Sequence, residues 1–167
     1  MNIQTMVCLN CGYEQPVEVE QRFASRDTNR GNANAKALVH FINTETKYVA
    51  TSEPSSSQKR ASGGRMRPDI KIRHKDKMWP GFMLVERQEQ NTSGTGHEKV
   101  ANKIHKALNA LHDHSVLKYF IVLAGARVDL LLRTAKDTLT AGGAYPHERL
   151  VVVTEDEFKV LLLNEQL

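Results

Sequence analysis

The chain has 167 residues, of which 40% are hydrophobic and 25% charged, a balance that excludes a disordered tail, a collagen or a coiled coil. The apolar runs around Tyr119–Ala126 and Val160–Leu163 are far too short to span a bilayer, and no charged-then-apolar leader opens the chain. The expectation is one cytoplasmic domain with no membrane partner, large enough to bury a core without the disulfides that two cysteines could not form in number. The net charge of +4 is uneven. Lys59, Arg60, Arg65, Arg67, Lys71, Arg73, Lys75 and Lys77 face only Asp69 and Asp76 within one stretch. Such a local excess in a balanced chain points to an anionic partner, most often nucleic acid; the alternative is a solvated basic loop.

In chain order, Met1–Phe23 holds Cys8-Leu9-Asn10-Cys11-Gly12 and then an alternating stretch. We read 1–23 as a separate Cys-x-x-Cys segment and 24–167 as the main domain. Cys8 and Cys11 have the spacing of half a zinc site, but a tetrahedral site needs four ligands and the chain has no second pair. Free thiols are the better reading than a filled site. Ala24–Gly31 reads as a polar loop, and Asn32–Asn43 as a helix with apolar residues three and four apart. Tyr48–Ala50 reads as a strand, and Thr51–Gly64 has loop composition.

Pro68–Lys75 alternates, with Ile70 and Ile72 on one face and Asp69, Lys71 and Arg73 on the other. A turn through Trp79-Pro80-Gly81 leads to a second strand, Phe82–Gln88, so the two form a hairpin. A polar loop, Asn91–Gly96, precedes an amphipathic helix over His97–His112; Val100, Ile104, Ala107, Leu108 and Leu111 form its apolar stripe, with Lys99, Lys103 and Lys106 off it. Val116–Ala124 reads as a buried strand, Val128–Thr138 as a helix and Leu150–Val153 as another strand. Thr154 and Glu157 make a capping box that opens a last helix, Glu155–Asn164. This order predicts an α/β fold whose mixed sheet is antiparallel on one side and parallel on the other, with helices on both faces.

Within the hairpin, Asp69 opens one strand, while Glu86 and Gln88 lie two apart near the end of the other and share a face. Glu86 follows the apolar Phe82–Val85, so its carboxylate leaves a buried strand and needs a partner. Asp69, Glu86 and the backbone carbonyl of Arg87 would make a hard-oxygen site suited to Mg²⁺. The alternative is structural: Asp69 capping the preceding loop, and Glu86 paired with Arg73 or Lys71 across the hairpin.

At these residues the chain resembles the PD-(D/E)XK nucleases, which include type II restriction endonucleases. Pro68-Asp69 followed by Glu86-Arg87-Gln88 is similar to their motif, with Gln88 in the usual lysine place. Ser93-Gly94 through Glu98-Lys99 resembles the opening of the helix after their catalytic strand, and the likeness spans roughly residues 30–160. The resemblance implies a restriction-endonuclease-like fold and a Mg²⁺-dependent endonuclease acting on double-stranded DNA. In it Asp69 and Glu86 hold metal, Gln88 orients water or phosphate, and Lys99 is a candidate for the missing cation. Lys59, Arg60, Arg65, Arg67, Lys71 and Arg73 would line the DNA backbone. One such site cuts one strand, so the resemblance implies a homodimer or a larger recognition subunit. The first helix lacks the acid that holds a second metal in many members; one metal, or help from Asn32 or Asn34 through water, would follow. A non-enzymatic nucleic-acid-binding module and a catalytically inactive nuclease-fold protein are the competing expectations.

Overall fold

The structure is a computed structural model that describes residues 3–7, 14–18, 25–52, 68–91, 96–141 and 148–167. The chain divides into two compact units, Met1–Arg30 and Gly31–Leu167. In the first, strands β1 (Ile3–Val7) and β2 (Glu14–Glu18) pair antiparallel, with Thr5 opposite Pro16.

The second unit is built on five strands in the order β3-β4-β5-β6-β7. They are β3 (Tyr48–Ser52), β4 (Ile70–His74), β5 (Phe82–Glu89), β6 (Val116–Ala124) and β7 (Leu150–Thr154). β3, β4 and β5 pair antiparallel, while β5, β6 and β7 pair parallel. This is the α/β architecture that the order of elements predicts. The helices are α1 (Ser25–Glu45), α2 (Gly96–Ala110), α3 (Val128–Ala141) and α4 (Glu155–Leu163).

Two cores follow from the alternation of the strands. Leu84, Tyr119, Ile121 and Leu123 meet Val100, Ile104 and Ala107 of α2 and Leu131 and Ala135 of α3. On the other face Ile70, Ile72, Met83, Val85, Phe120 and Val122 meet Leu38 and Ile42 of α1 and Phe158 and Leu162 of α4. Burying each of the leucine, isoleucine, valine, methionine and phenylalanine side chains contributes about 1.5–3 kcal/mol. The capping box forms as read: the Thr154 hydroxyl accepts from the Glu157 N–H, and the Glu157 carboxylate accepts from the Thr154 N–H.

Two expectations change. Thr51 and Ser52 read as the start of a loop, yet β3 continues through Ser52 because both residues pair with Lys71 and Ile70 of β4. Ala24–Gly31 reads as a loop, yet α1 is already helical at Ser25. Arg26–Arg30 carries no apolar residue, so hydrophobic periodicity is silent there. Adding a polar turn to a nucleated helix costs little, because each residue fixed gains a hydrogen bond.

The end of β5 is tied to the turn after β6. Gly125, at φ 97°, lets the chain bend so closely that a Cβ there would lie 2.5 Å from the Gln90 carbonyl. The Arg127 N–H donates to that carbonyl at 3.0 Å. Among the described residues no helix is long and apolar enough to cross a membrane.

Candidate metal and nucleic-acid site

β5 is buried on both faces, so its side chains alternate between the two cores. Leu84 faces α2 and α3, while Met83 and Val85 face α1 and α4. By the same alternation Glu86 and Gln88 face α2, and Arg87 and Glu89 face the other way. Asp69 stands one residue before β4, on the face of Lys71 and Arg73.

Asp69 and Glu86 meet at one ammonium group. Lys103 Nζ lies 2.6 Å from Glu86 Oε2 and 3.6 Å from Asp69 Oδ2. Glu86 is only 2% exposed. Its Oε1 accepts from the Lys106 ammonium and, at 3.2 Å, from the Tyr119 hydroxyl. Asp69 Oδ2 also accepts the backbone N–H of Arg87 at 2.7 Å.

The two carboxylates differ electrostatically. Burial pushes the Asp69 pKa up; Lys103 offsets part of this, the neighbouring Glu86 adds to it, and the pKa stays above the usual aspartate value. Burial acts upward on Glu86 too, but the ammonium groups of Lys103 and Lys106 outweigh it and hold that pKa below the ordinary value. Burial, followed by the charge of Glu86, drives the Tyr119 hydroxyl far upward, so it is a neutral donor.

Among the described residues no group of three or more His, Cys, Asp or Glu side chains gathers to hold a metal ion. The pair Asp69 and Glu86 nevertheless fits Mg²⁺, which is commonly bound by one or two carboxylates and otherwise by water. The fit rests on Lys103: a cation already stands between the two hard-oxygen groups.

The structure places the other expected residues as follows. Gln88 is 8% exposed, and its Nε2 donates to the Glu89 carbonyl at 3.2 Å. Lys99 is exposed on α2. Sequence reading had no means to select Lys103, Lys106 and Tyr119. Lys99 and Lys106 point from similar sides of α2, but seven residues separate them along the axis by about 10 Å. The position of α2 over β5 brings its second half, not its first turn, to Glu86.

Lys71 and Arg73 do not reach Glu86 as the structural alternative expects. Lys71 lies opposite Leu84 in the ladder, and its Nζ sits 3.7 Å from the centroid of the Phe82 ring, with Arg73 Cζ at 6.0 Å. Register places both toward the start of β5, away from Glu86. Lys59, Arg60, Arg65, Arg67, Cys8 and Cys11 lie outside the described residues.

The opposite face of β5 carries a second polar cluster. Arg87 donates from Nη1 to Glu89 Oε2 at 2.7 Å and from Nε to Glu155 Oε2 at 2.8 Å. Asn34 of α1 donates to the same Glu89 oxygen at 2.7 Å, and Asn91 to Glu89 Oε1 at 2.6 Å. Asn34 thus serves Glu89, across the sheet from Glu86. Burial would raise the Glu89 pKa, but the donors Arg87, Asn91 and Asn34 bring it down to about 2.

No family model matches the sequence, and no curated protein matches it. Among solved structures the chain is similar to the MunI restriction endonuclease, in a crystal structure with cognate DNA. The identity is 15% and the TM-score 0.44, over 83% of this chain and 94% of that one.

Proposed function

We propose that this chain is a Mg²⁺-dependent endonuclease of the restriction-endonuclease-like type, acting on double-stranded DNA in the cytoplasm. The observation that carries the reading is the convergence of Asp69 and Glu86, from two paired strands, on one cation. Asp69 and Glu86, with the Arg87 carbonyl, are the residues that would hold Mg²⁺. When bound, the ion supplies Lewis-acid stabilisation of the phosphate and lowers the pKa of a water. The Arg87 N–H fixes the direction of the Asp69 carboxylate, and Lys106 with Tyr119 fixes Glu86. Gln88 shares their face and positions water or phosphate by neutral hydrogen bonds. Hydrolysis adds the water oxygen to phosphorus, breaks one P–O ester bond and leaves a proton on the departing oxygen. Lys71 and Arg73, with Lys59, Arg60, Arg65 and Arg67 ahead of them, supply cations for the DNA backbone. One site cuts one strand, so a double-strand break takes a homodimer or a larger recognition subunit.

A second reading, a catalytically inactive nuclease fold or a nucleic-acid-binding module, is favoured by the two lysines that occupy both oxygens of Glu86. Nicking of supercoiled plasmid separates the two. The enzyme reading expects nicking with Mg²⁺, none with EDTA, and none by a folded Glu86→Ala variant that still binds DNA. DNA binding by the wild type without any Mg²⁺-dependent nicking establishes the second reading instead.

A further inference from the structure

β5 offers the proposed site no positive charge, because Gln88 is neutral. Two ammonium groups arrive from α2 instead, and they are not equivalent. Lys106 shares Oε1 of Glu86 with the Tyr119 hydroxyl, so that oxygen is held from two sides. Lys103 takes the other oxygen and reaches Asp69 as well. The Asp69 side chain is 36% exposed against 3% for Glu86. Lys103 and Lys106 are almost equally exposed, at 18% and 19%, but Lys103 reaches Asp69, the more exposed carboxylate, and so stands where the buried carboxylate meets solvent. A lysine at such a boundary keeps its stem packed and swings its charged head outward with little desolvation cost.

We propose that Lys103 works in two positions: as an internal cation that holds Asp69 and Glu86 together while no divalent metal is bound, and, once metal takes those carboxylates, as the donor of positive charge to a non-bridging oxygen of the DNA phosphate. The second position rests on the nuclease reading above. A divalent ion brings twice the charge to the same oxygens and repels the ammonium at short range. Asp69 is the more exposed of the two carboxylates, so the ammonium moves toward solvent, where a phosphate would bind, on the Asp69 side. Lys103 thus supplies, from a helix, the cation that β5 lacks, and it also competes with the metal. The apparent metal affinity is then the intrinsic affinity reduced by the fraction of molecules in which Lys103 has left.

Two readouts on the full chain test this. Mn²⁺ binding without DNA, followed by electron paramagnetic resonance, is expected to tighten about tenfold in Lys103→Met, which corresponds to Lys103 occupying the site in about nine molecules of ten. Single-turnover cleavage at saturating Mg²⁺ is expected to fall about a hundredfold in the same variant, the scale of a lost charge-stabilising donor, with Lys103→Arg retaining more rate. Lys103→Gln serves for both readouts where circular dichroism shows Lys103→Met unfolded. Unchanged or weaker Mn²⁺ binding overturns the first position, and cleavage at the wild-type rate overturns the second. A wild type that binds Mn²⁺ but cuts no DNA overturns the nuclease reading and the second position with it, while tighter binding by the variant still upholds the first.

Discussion

Asp69 and Arg87 are joined across the hairpin: the Arg87 backbone N–H donates to Asp69 Oδ2 at 2.7 Å. The guanidinium of the same residue is fixed on the opposite face of the sheet by Glu89 and Glu155. One residue therefore orients a carboxylate of the candidate site with its main chain and anchors the strand with its side chain.

Asp69→Asn keeps an oxygen for the Arg87 N–H but removes the charge that would hold metal. We expect a folded variant with cleavage reduced to background, read by plasmid nicking and circular dichroism. In the metal-free site burial raises the pKa of Asp69, and a proton competes with metal for its carboxylate. The ionised form is the one that would hold metal, so Mn²⁺ affinity is expected to weaken as pH drops through a midpoint above the usual aspartate value. Mn²⁺ binding without DNA across a pH series checks this, and an affinity that stays flat down to that value removes Asp69 from the metal-binding set.

The Arg87, Glu89 and Glu155 cluster contributes to stability in a defined pH window. The folded pKa of Glu89 is about 2 against an ordinary 4.5. A depressed carboxylate stabilises the fold fully above its unfolded pKa, and that contribution is lost as pH falls from about 4.5 toward 2. Glu89→Gln is expected to lose about 1.5–3 kcal/mol at neutral pH, the range for hydrogen bonds to charged groups. It also flattens the fall in stability below pH 4.5. Urea melts at several pH values measure both effects, and an unchanged acid slope refutes the assignment.

Gln88 presents a neutral amide on the face of Glu86. Gln88→Ala is expected to slow single-turnover cleavage about tenfold to a hundredfold, the scale of a lost positioning group. Gln88→Lys adds an ammonium at a site only 8% exposed, close to the two lysines on Glu86. It is expected to fold with a lowered melting temperature and to retain part of the rate. A wild-type rate in Gln88→Ala confines the motif to Asp69 and Glu86.

Lys71 and Arg73 lie over the Phe82 ring on the face of the site. Replacing each by Ala is expected to weaken binding to all DNA sequences alike. The slope of log K against log salt should fall by roughly one unit per lost phosphate contact. Fluorescence anisotropy across a salt series measures both quantities. An unchanged slope with unchanged affinity places these cations off the DNA path.

The sequence alone determined most of the elements and their order, since most carried a local signal; β1 and the first turn of α1 did not. Ile70 and Ile72 alternate with charges in β4, Val100, Ile104 and Ala107 recur at helical spacing in α2, and Thr154 with Glu157 marks the start of α4. Alternation also put Glu86 and Gln88 on one face, because the period of a strand is two residues. Tertiary structure decided which cation meets Glu86. Lys99, Lys103 and Lys106 look alike in sequence, and only the axial position of α2 over β5 separates them. Tertiary structure also decided the Arg87 cluster. Alternation sends Arg87 and Glu89 to the far face, but Glu155 reaches them only because β7 delivers the start of α4 beside β6, a long-range placement that no local pattern encodes.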